Sequence, residues 1–188
     1  GARIKTDSVD ASTLADLLRG NLVFESYIPP KEIRRLREIT RERRTFVKQT
    51  TQIKNQIHAI LIKRGIELGY TTLCDGAILW IKEKLPNDKI MLHYLDLLEF
   101  HKKKLTEIDK IISDKSYENT NAKLLMTIPG IGSIRSLDLV AEIGEISRFP
   151  KADKLCSYAG LVPSIHQSGN TLRFGGLIKQ SSKTLKTT

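Results

Sequence analysis

Cysteine is scarce in this chain, and long apolar runs are missing. Cys74 and Cys156 stand far apart among 188 residues. Two well-separated cysteines build neither a disulfide framework nor a zinc site, so a reducing, cytoplasmic setting is expected. No apolar run approaches the roughly 20 residues of a membrane-spanning helix, and no stretch has the pattern of a signal peptide. These features argue against secreted, zinc-stabilised and membrane-embedded proteins.

Acidic residues are in the minority. The chain has 31 Lys and Arg against 21 Asp and Glu, a formal net charge of +10 and a pI near 9.6. This excess favours a polyanionic partner, although an anionic membrane surface would also attract it. An apolar content of 40% and a charged content of 28% are typical of a globular protein.

The two ends of the chain are unusual. It begins at Gly1 without a Met, and it ends in a Lys- and Thr-rich segment without a closing hydrophobic element. We therefore expect a fragment or a truncated gene copy. The pattern along the chain divides it into residues 1–30, 31–113 and 114–188.

Residues 3–30 contain a short amphipathic helix that ends near Gly20. Asp7 and Asp10 are three residues apart, so both carboxylates can lie on one helix face. Two such carboxylates can share a hard divalent cation. In the simpler interpretation from these residues alone, Asp7 caps the helix and Asp10 complements its dipole.

Residues 31–64 contain no Gly or Pro, and their apolar residues follow an imperfect three-four spacing that predicts one long helix. Eleven residues in this stretch are basic and three are acidic. A solvated helix usually mixes both signs, so we expect nucleic-acid contact here, with a solvated coiled-coil face as the alternative. The candidate contacts are Arg34, Arg41, Arg44 and Lys48.

A second long amphipathic helix is predicted over Lys89–Ser113, after a connector that holds a short helix. The economical arrangement pairs the two long helices as an antiparallel, coiled-coil hairpin. The polar stretch Ser113–Asn121 is expected to be a linker.

The stretch Ile128–Gly132 is expected to form a tight turn between two helices, the second of which runs over about residues 133–143. This pattern is that of a helix-hairpin-helix, whose turn offers free backbone N–H groups to a phosphate. The alternative is a turn between packed helices without a ligand. The candidate phosphate contacts are Gly130, Ile131, Gly132 and Arg135.

The last part of the chain is less regular. Gly160 ends a short helix, Leu172–Phe174 is a short candidate strand, and Leu177–Lys179 is expected to begin a last helix. Ser168 lies in a predicted loop, and from the residues alone it is an ordinary loop serine. The predicted fold is therefore mainly α: a long antiparallel helical hairpin and a compact C-terminal domain with a helix-hairpin-helix.

Taken together, these pieces resemble a family of prokaryotic insertion-sequence transposases with a RuvC-like domain of four acidic residues, a coiled-coil middle and a catalytic serine. The resemblance covers nearly the whole chain and depends on the order of its motifs. These are Lys5–Ala11, the basic hairpin, Ile128–Gly132, Ala141–Gly144, Arg148-Phe149, Tyr158–Pro163, Gln167–Gly169 and Ile178-Lys179.

The resemblance implies a bridge-RNA-guided DNA recombinase. Asp7 and Asp10 match the last two acids of its Mg²⁺ site, and residues 1–30 match the end of the RuvC-like domain. Ser168 matches the serine that attacks a DNA phosphate, while His166 is a candidate base that spacing alone does not place in contact. The implied partners are DNA, a guide RNA and further copies of the chain, with no membrane. The first two acids have no match here, so residues 1–188 alone are expected to bind nucleic acid without recombining it.

Two other functions fit the residues. One is a helix-hairpin-helix module that binds duplex DNA without chemistry. The other is a scaffold whose coiled coil mainly makes oligomers, and its association with nucleic acid would be weak and nearly independent of salt.

Overall fold

The computed structural model describes residues 6–23, 26–169, 171–179 and 181–187, and this part of the chain is mainly helical, as expected. Residues 1–30 and 31–188 form two separate compact units. The three-part division of the chain stays a prediction. The elements are α1 (Asp7–Arg19), α2 (Lys31–Lys63), α3 (Asp75–Lys84), α4 (Lys89–Glu118), α5 (Thr120–Met126), α6 (Ser133–Ile143), a 3₁₀ turn (Ile146–Arg148), α7 (Ala152–Ala159), β1 (Pro163–Ser168), β2 (Thr171–Leu177) and α8 (Lys183–Thr187).

Helix α1 is the described element of the first unit, and it ends at Gly20 as predicted. Its N-cap is Thr6, whose Oγ1 accepts a hydrogen bond from the Val9 N–H at 3.3 Å. The interpretation of Asp7 as the cap is therefore wrong. Asp7 and Asp10 both lie in the first turn, where carboxylates complement the helix dipole.

Helices α2 and α4 form the predicted antiparallel hairpin. Arg64, just beyond α2, forms an ion pair with Asp88 at the start of α4. Arg43, nearer the start of α2, contacts Asp109 near the end of α4 at 2.5 Å. Because higher numbers on α2 meet lower numbers on α4, the two helices run in opposite directions. The connector between them contains α3, the predicted short helix.

Two apolar clusters stabilise the hairpin. The tip cluster joins the end of α2, α3 and the start of α4, and its fully buried side chains include Ile57, Ile81 and Leu95. The base cluster joins the other ends of α2 and α4 to α6, through Leu36, Ile112 and Leu137 among others. Fully burying a side chain such as Ile112 or Leu137 contributes about 1.5–3 kcal/mol.

Polar side chains lie between the two clusters. Thr50 of α2 and His101 of α4 are both buried there. The Thr50 hydroxyl donates to the Phe46 carbonyl at 2.7 Å, and the His101 ring lies 5.1 Å from the Phe46 ring. The hairpin interior is therefore divided into two apolar parts.

The prediction of a linker over Ser113–Asn121 is wrong, because α4 continues to Glu118. Ser116 is fully buried, and its hydroxyl donates to the Ser113 carbonyl at 2.7 Å. Helix α5 then starts directly after Asn119, whose side chain accepts from the Ala122 N–H at 3.0 Å. Polar residues here satisfy helical backbone groups instead of breaking the helix.

The C-terminal end contains the least expected element. The predicted loop around Ser168 is strand β1, which pairs with β2 as an antiparallel hairpin. Leu177 ends β2 instead of starting a helix, and the last described helix begins only at Lys183. The candidate strand at Leu172–Phe174 is confirmed as part of β2. Across the described residues, no helix is long and apolar enough to span a bilayer.

Candidate nucleic-acid interface and serine site

The turn between α5 and α6 leaves backbone donors at a helix N-terminus. The Ile131 N–H donates to the Ile128 carbonyl at 3.1 Å, and Gly130 has φ of +89°, which favours glycine. Gly132 is the N-cap of α6, and the cap supplies no side-chain hydrogen bond. The first-turn N–H groups of α6 therefore lack a capping side-chain oxygen, an arrangement that suits phosphate binding.

Arg135 adds a cation to this turn. It is exposed, and its guanidinium lies 3.4 Å from the Gly130 carbonyl oxygen. The predicted residues Gly130, Ile131, Gly132 and Arg135 thus share one surface at the start of α6.

Helix α6 is bound to α2 through arginines. The Arg37 guanidinium donates to the carbonyls of Ala141 and Glu142 at 2.7 and 3.0 Å, at the C-terminal end of α6. Arg44 contacts Asp138 at 2.9 Å and Glu142 at 3.1 Å. The Arg37 contacts satisfy carbonyl groups that a helix end otherwise leaves without partners.

Glu142 is the centre of this network. Its side chain is only 5% exposed, and it also meets Arg41 at 3.4 Å. Burial acts to raise the pKa of Glu142, but hydrogen bonds and charge from Arg41 and Arg44 outweigh burial and hold the pKa below its ordinary value. The carboxylate is therefore ionised when α6 lies on α2.

The Glu142 network changes the interpretation of the basic residues on α2. Arg44 was predicted to contact nucleic acid, but it is largely covered, pairs with two acids of α6 and donates to the Thr184 hydroxyl. Arg41 stays 58% exposed beside Glu142. Arg34 and Lys48 are exposed. Part of the excess positive charge of α2 thus binds the C-terminal domain.

Sequence reasoning missed the acids of this network. Glu142 and Asp138 lie four residues apart on α6, among the apolar residues that form its buried face. A charged residue at a core position usually requires a buried partner, and this signal was available in the sequence.

Ser168 ends β1, at the turn of the terminal hairpin. Gly169 follows with φ of +55°. Ser168 pairs with Thr171, and His166 pairs with Arg173. These four residues, with Ile165 and Gln167, line an open concavity of about 600 Å³. Ser168 is exposed, so a phosphate has access to its hydroxyl.

Asp7 and Asp10 are exposed on the first turn of α1. Their oxygens suit a hard divalent cation, which takes six or more such ligands. Among the residues that the structure describes, no group of three or more His, Cys, Asp or Glu side chains is arranged to hold a metal ion. Two carboxylates fit part of a metal site and do not complete one.

Two protein-family models match the chain. One is described as the transposase IS116/IS110/IS902 family and matches residues 122–188, and the other is a DEDD transposase model of IS110 that matches residues 2–63. Two segments of the chain, residues 2–63 and 122–188, are thus similar to insertion-sequence transposases of this family. The predicted resemblance is confirmed at this level, and the serine chemistry and the guide RNA stay predictions.

Individual relatives of this chain agree with that similarity. A putative transposase, y4qE, of Sinorhizobium fredii is 25% identical over 194 residues, which cover 100% of this chain and 47% of that protein. The transposase of IS1328 from Yersinia enterocolitica is 25% identical, over 97% of this chain and 56% of its own length. A pilin gene-inverting protein of Moraxella bovis is 48% identical over 64 residues, which cover 34% of this chain and 18% of that protein. The chain spans about half the length of the first two relatives.

Proposed function

We propose that this chain acts in DNA transposition, with Ser168 as the nucleophile. The observation that carries the proposal is the exposed serine at a hairpin turn, inside the segment that matches a transposase family. A serine hydroxyl becomes an effective nucleophile once a base or a metal assists its deprotonation.

The reaction proposed for Ser168 is a transesterification. A bond forms between Ser168 Oγ and phosphorus while the bond from phosphorus to one deoxyribose oxygen breaks. The serine proton passes to a base, and the leaving oxygen takes a proton from solvent. The reverse reaction joins a new DNA end, so the cycle consumes no co-reactant. His166, two residues before Ser168, is the candidate base on the same strand.

A covalent adduct tests this proposal. In the complete gene product, Ser168→Ala is expected to abolish protein–DNA adducts that survive denaturation. Ser147→Ala is the matched control, because Ser147 is an exposed serine in the same part of the chain. Adducts that persist in both variants would refute the role of Ser168 as the nucleophile.

Nucleic acid is proposed to lie along the first turn of α6 and the exposed side of α2. Arg37 meets residues 141 and 142 while Arg44 meets Asp138, so α6 runs antiparallel to α2. This direction carries the first turn of α6 toward the Lys48 end of α2. The polyanion is DNA or a guide RNA, and both present the phosphates that free N–H groups and exposed cations bind.

Salt dependence of binding tests this surface. We expect the affinity for a labelled 30-base-pair duplex to fall steeply with salt, and Lys48→Ala to reduce the log–log slope by about 1. Lys103→Ala on the exposed side of α4 is the control and should leave the slope unchanged. Equal slopes for the two variants would refute a contact at Lys48.

Asp7 and Asp10 are proposed as ligands of a divalent cation, Mg²⁺, which would supply positive charge beside the reacting phosphate. The family match over residues 2–63 supports this role. We also propose that the helical hairpin of α2 and α4 associates with further copies of the chain. Because the two carboxylates do not complete a metal site, residues 1–188 alone are expected to bind nucleic acid without transferring strands.

A non-catalytic helix-hairpin-helix module is the second candidate function. The open N-terminus of α6 favours it, since phosphate binding there needs no chemistry. This alternative predicts DNA binding that is equal in the wild type and in Ser168→Ala, with no adduct in either protein.

A further inference from the structure

Four polar side chains share one face of the terminal hairpin. Directly paired residues in an antiparallel hairpin project to the same side, as do residues two apart along a strand. Ser168 pairs with Thr171, and His166 pairs with Arg173. Arg173 is therefore a diagonal neighbour of Ser168 on the face that carries the serine hydroxyl.

The distance between Ser168 and Arg173 suits a phosphate that lies between their side chains. Diagonal neighbours in such a ladder lie about 7–8 Å apart, within reach of long side chains. An arginine fork presents parallel N–H groups that match two phosphate oxygens, and its charge does not depend on pH in the working range. The strand pairing fixes the Arg173 backbone relative to Ser168.

The charge of Arg173 is not balanced within the hairpin. Strands β1 and β2 contain no Asp or Glu. Arg44, by contrast, pairs with Asp138 and Glu142. Arg173 is exposed beside the concavity that Ser168 also lines. Its guanidinium thus has no acidic partner on its own strands and is accessible to an anion from outside.

We propose that Arg173 is a catalytic residue, which binds the phosphate that Ser168 attacks and stabilises the charge that develops on its oxygens. This inference depends on the proposed function, because it assumes that Ser168 is the nucleophile. Donors directed at the reacting oxygens stabilise the transition state more than the ground state.

The test uses the complete gene product, purified with any nucleic acid it retains, and plasmid DNA that carries the insertion sequence with its flanks. The rate of adduct formation at saturating protein is expected to fall about 10²–10³-fold in Arg173→Ala. Arg173→Lys should recover part of that loss, since it keeps the charge without the fork. Lys154→Ala removes an exposed cation of α7 and should change the rate less than twofold.

The possible outcomes distinguish the role of Arg173 from the role of Ser168 as the nucleophile. Loss of adducts in Ser168→Ala together with a normal saturated rate in both Arg173 variants would overturn the role of Arg173 and leave the nucleophile intact. Adducts in Ser168→Ala would overturn both. A loss of DNA affinity in Arg173→Ala without a change in saturated rate would reduce Arg173 to a binding residue, against the proposal.

Discussion

Replacing Glu142 by Gln removes the charge that holds α6 on α2. The carboxylate is 5% exposed and faces Arg44, which is 33% exposed, and Arg41, which is 58% exposed. Hydrogen bonds to charged groups contribute about 1.5–3 kcal/mol when covered, whereas the exposed Arg41 pair adds little. Arg44 also keeps Asp138 as a partner at 2.9 Å. We therefore expect Glu142→Gln to lower the free energy of unfolding by about 2 kcal/mol.

The pH dependence of the same variant follows from the sign of the pKa shift. Arg41 and Arg44 hold the pKa of Glu142 below its ordinary value, after the opposing effect of burial. The folded state therefore favours the ionised form, and its stabilisation is complete above the unfolded pKa of about 4.3. It is lost as pH falls through the lower, folded pKa, and Glu142→Gln should lack this part of the acid destabilisation.

Urea and thermal unfolding followed by circular dichroism measure both effects. A loss of about 2 kcal/mol corresponds to a fall in Tm of about 4–8 °C for a chain of this size. Glu145→Gln, an exposed acid three residues away, is the control and should shift Tm by less than 1–2 °C, or about 0.5 kcal/mol. Equal unfolding curves for the two variants at pH 7 would refute the importance of the buried carboxylate.

Three further changes test the packing. Arg37→Met should cost about 1–2 kcal/mol in urea unfolding, because two carbonyls at the end of α6 lose a donor; a loss below 0.5 kcal/mol contradicts this role. Leu95→Ala, at a fully buried position of the tip cluster, should cost about 2–5 kcal/mol by the same assay, and a near-neutral result would mean that the tip is not closely packed. Gly160→Ala should lower stability in calorimetry by at least about 1 kcal/mol, since Gly160 has φ of +74° and the Ser181 side chain fills the space of a Cβ. Gly69→Ala, which has open space, is the matched control.

The helical hairpin was predictable because its signals are local. A stretch without Gly or Pro gave α2 its length, and the predicted helix over 31–64 agrees with Lys31–Lys63. The end of α4 was not predictable by the same signals. Polar residues normally favour a linker, but buried Ser116 satisfies its hydroxyl inside the helix, and this depends on packing.

The candidate site was predictable in part. The turn at Gly130–Gly132 was recognised from its glycines, and Gly130 does adopt the positive φ that favours glycine. The strand that ends at Ser168 was missed, because β1 has few apolar residues and forms through its pairing with β2. The partners of Arg44 were missed for a related reason, since they lie about a hundred residues away along the chain.

The division of the hairpin interior by Thr50 and His101 has a consequence for synthesis on the ribosome. The tip cluster draws on residues 53–98 alone, whereas the base cluster joins Leu36 to Leu137. Contacts that are near in sequence form faster than distant ones, and chains are made from the N-terminus. We therefore expect the tip to fold while α6 is still being made, and Arg41 and Arg44 of α2 to stay without their acids until α6 emerges. During that interval α2 carries these arginines without their acidic partners, next to ribosomal RNA.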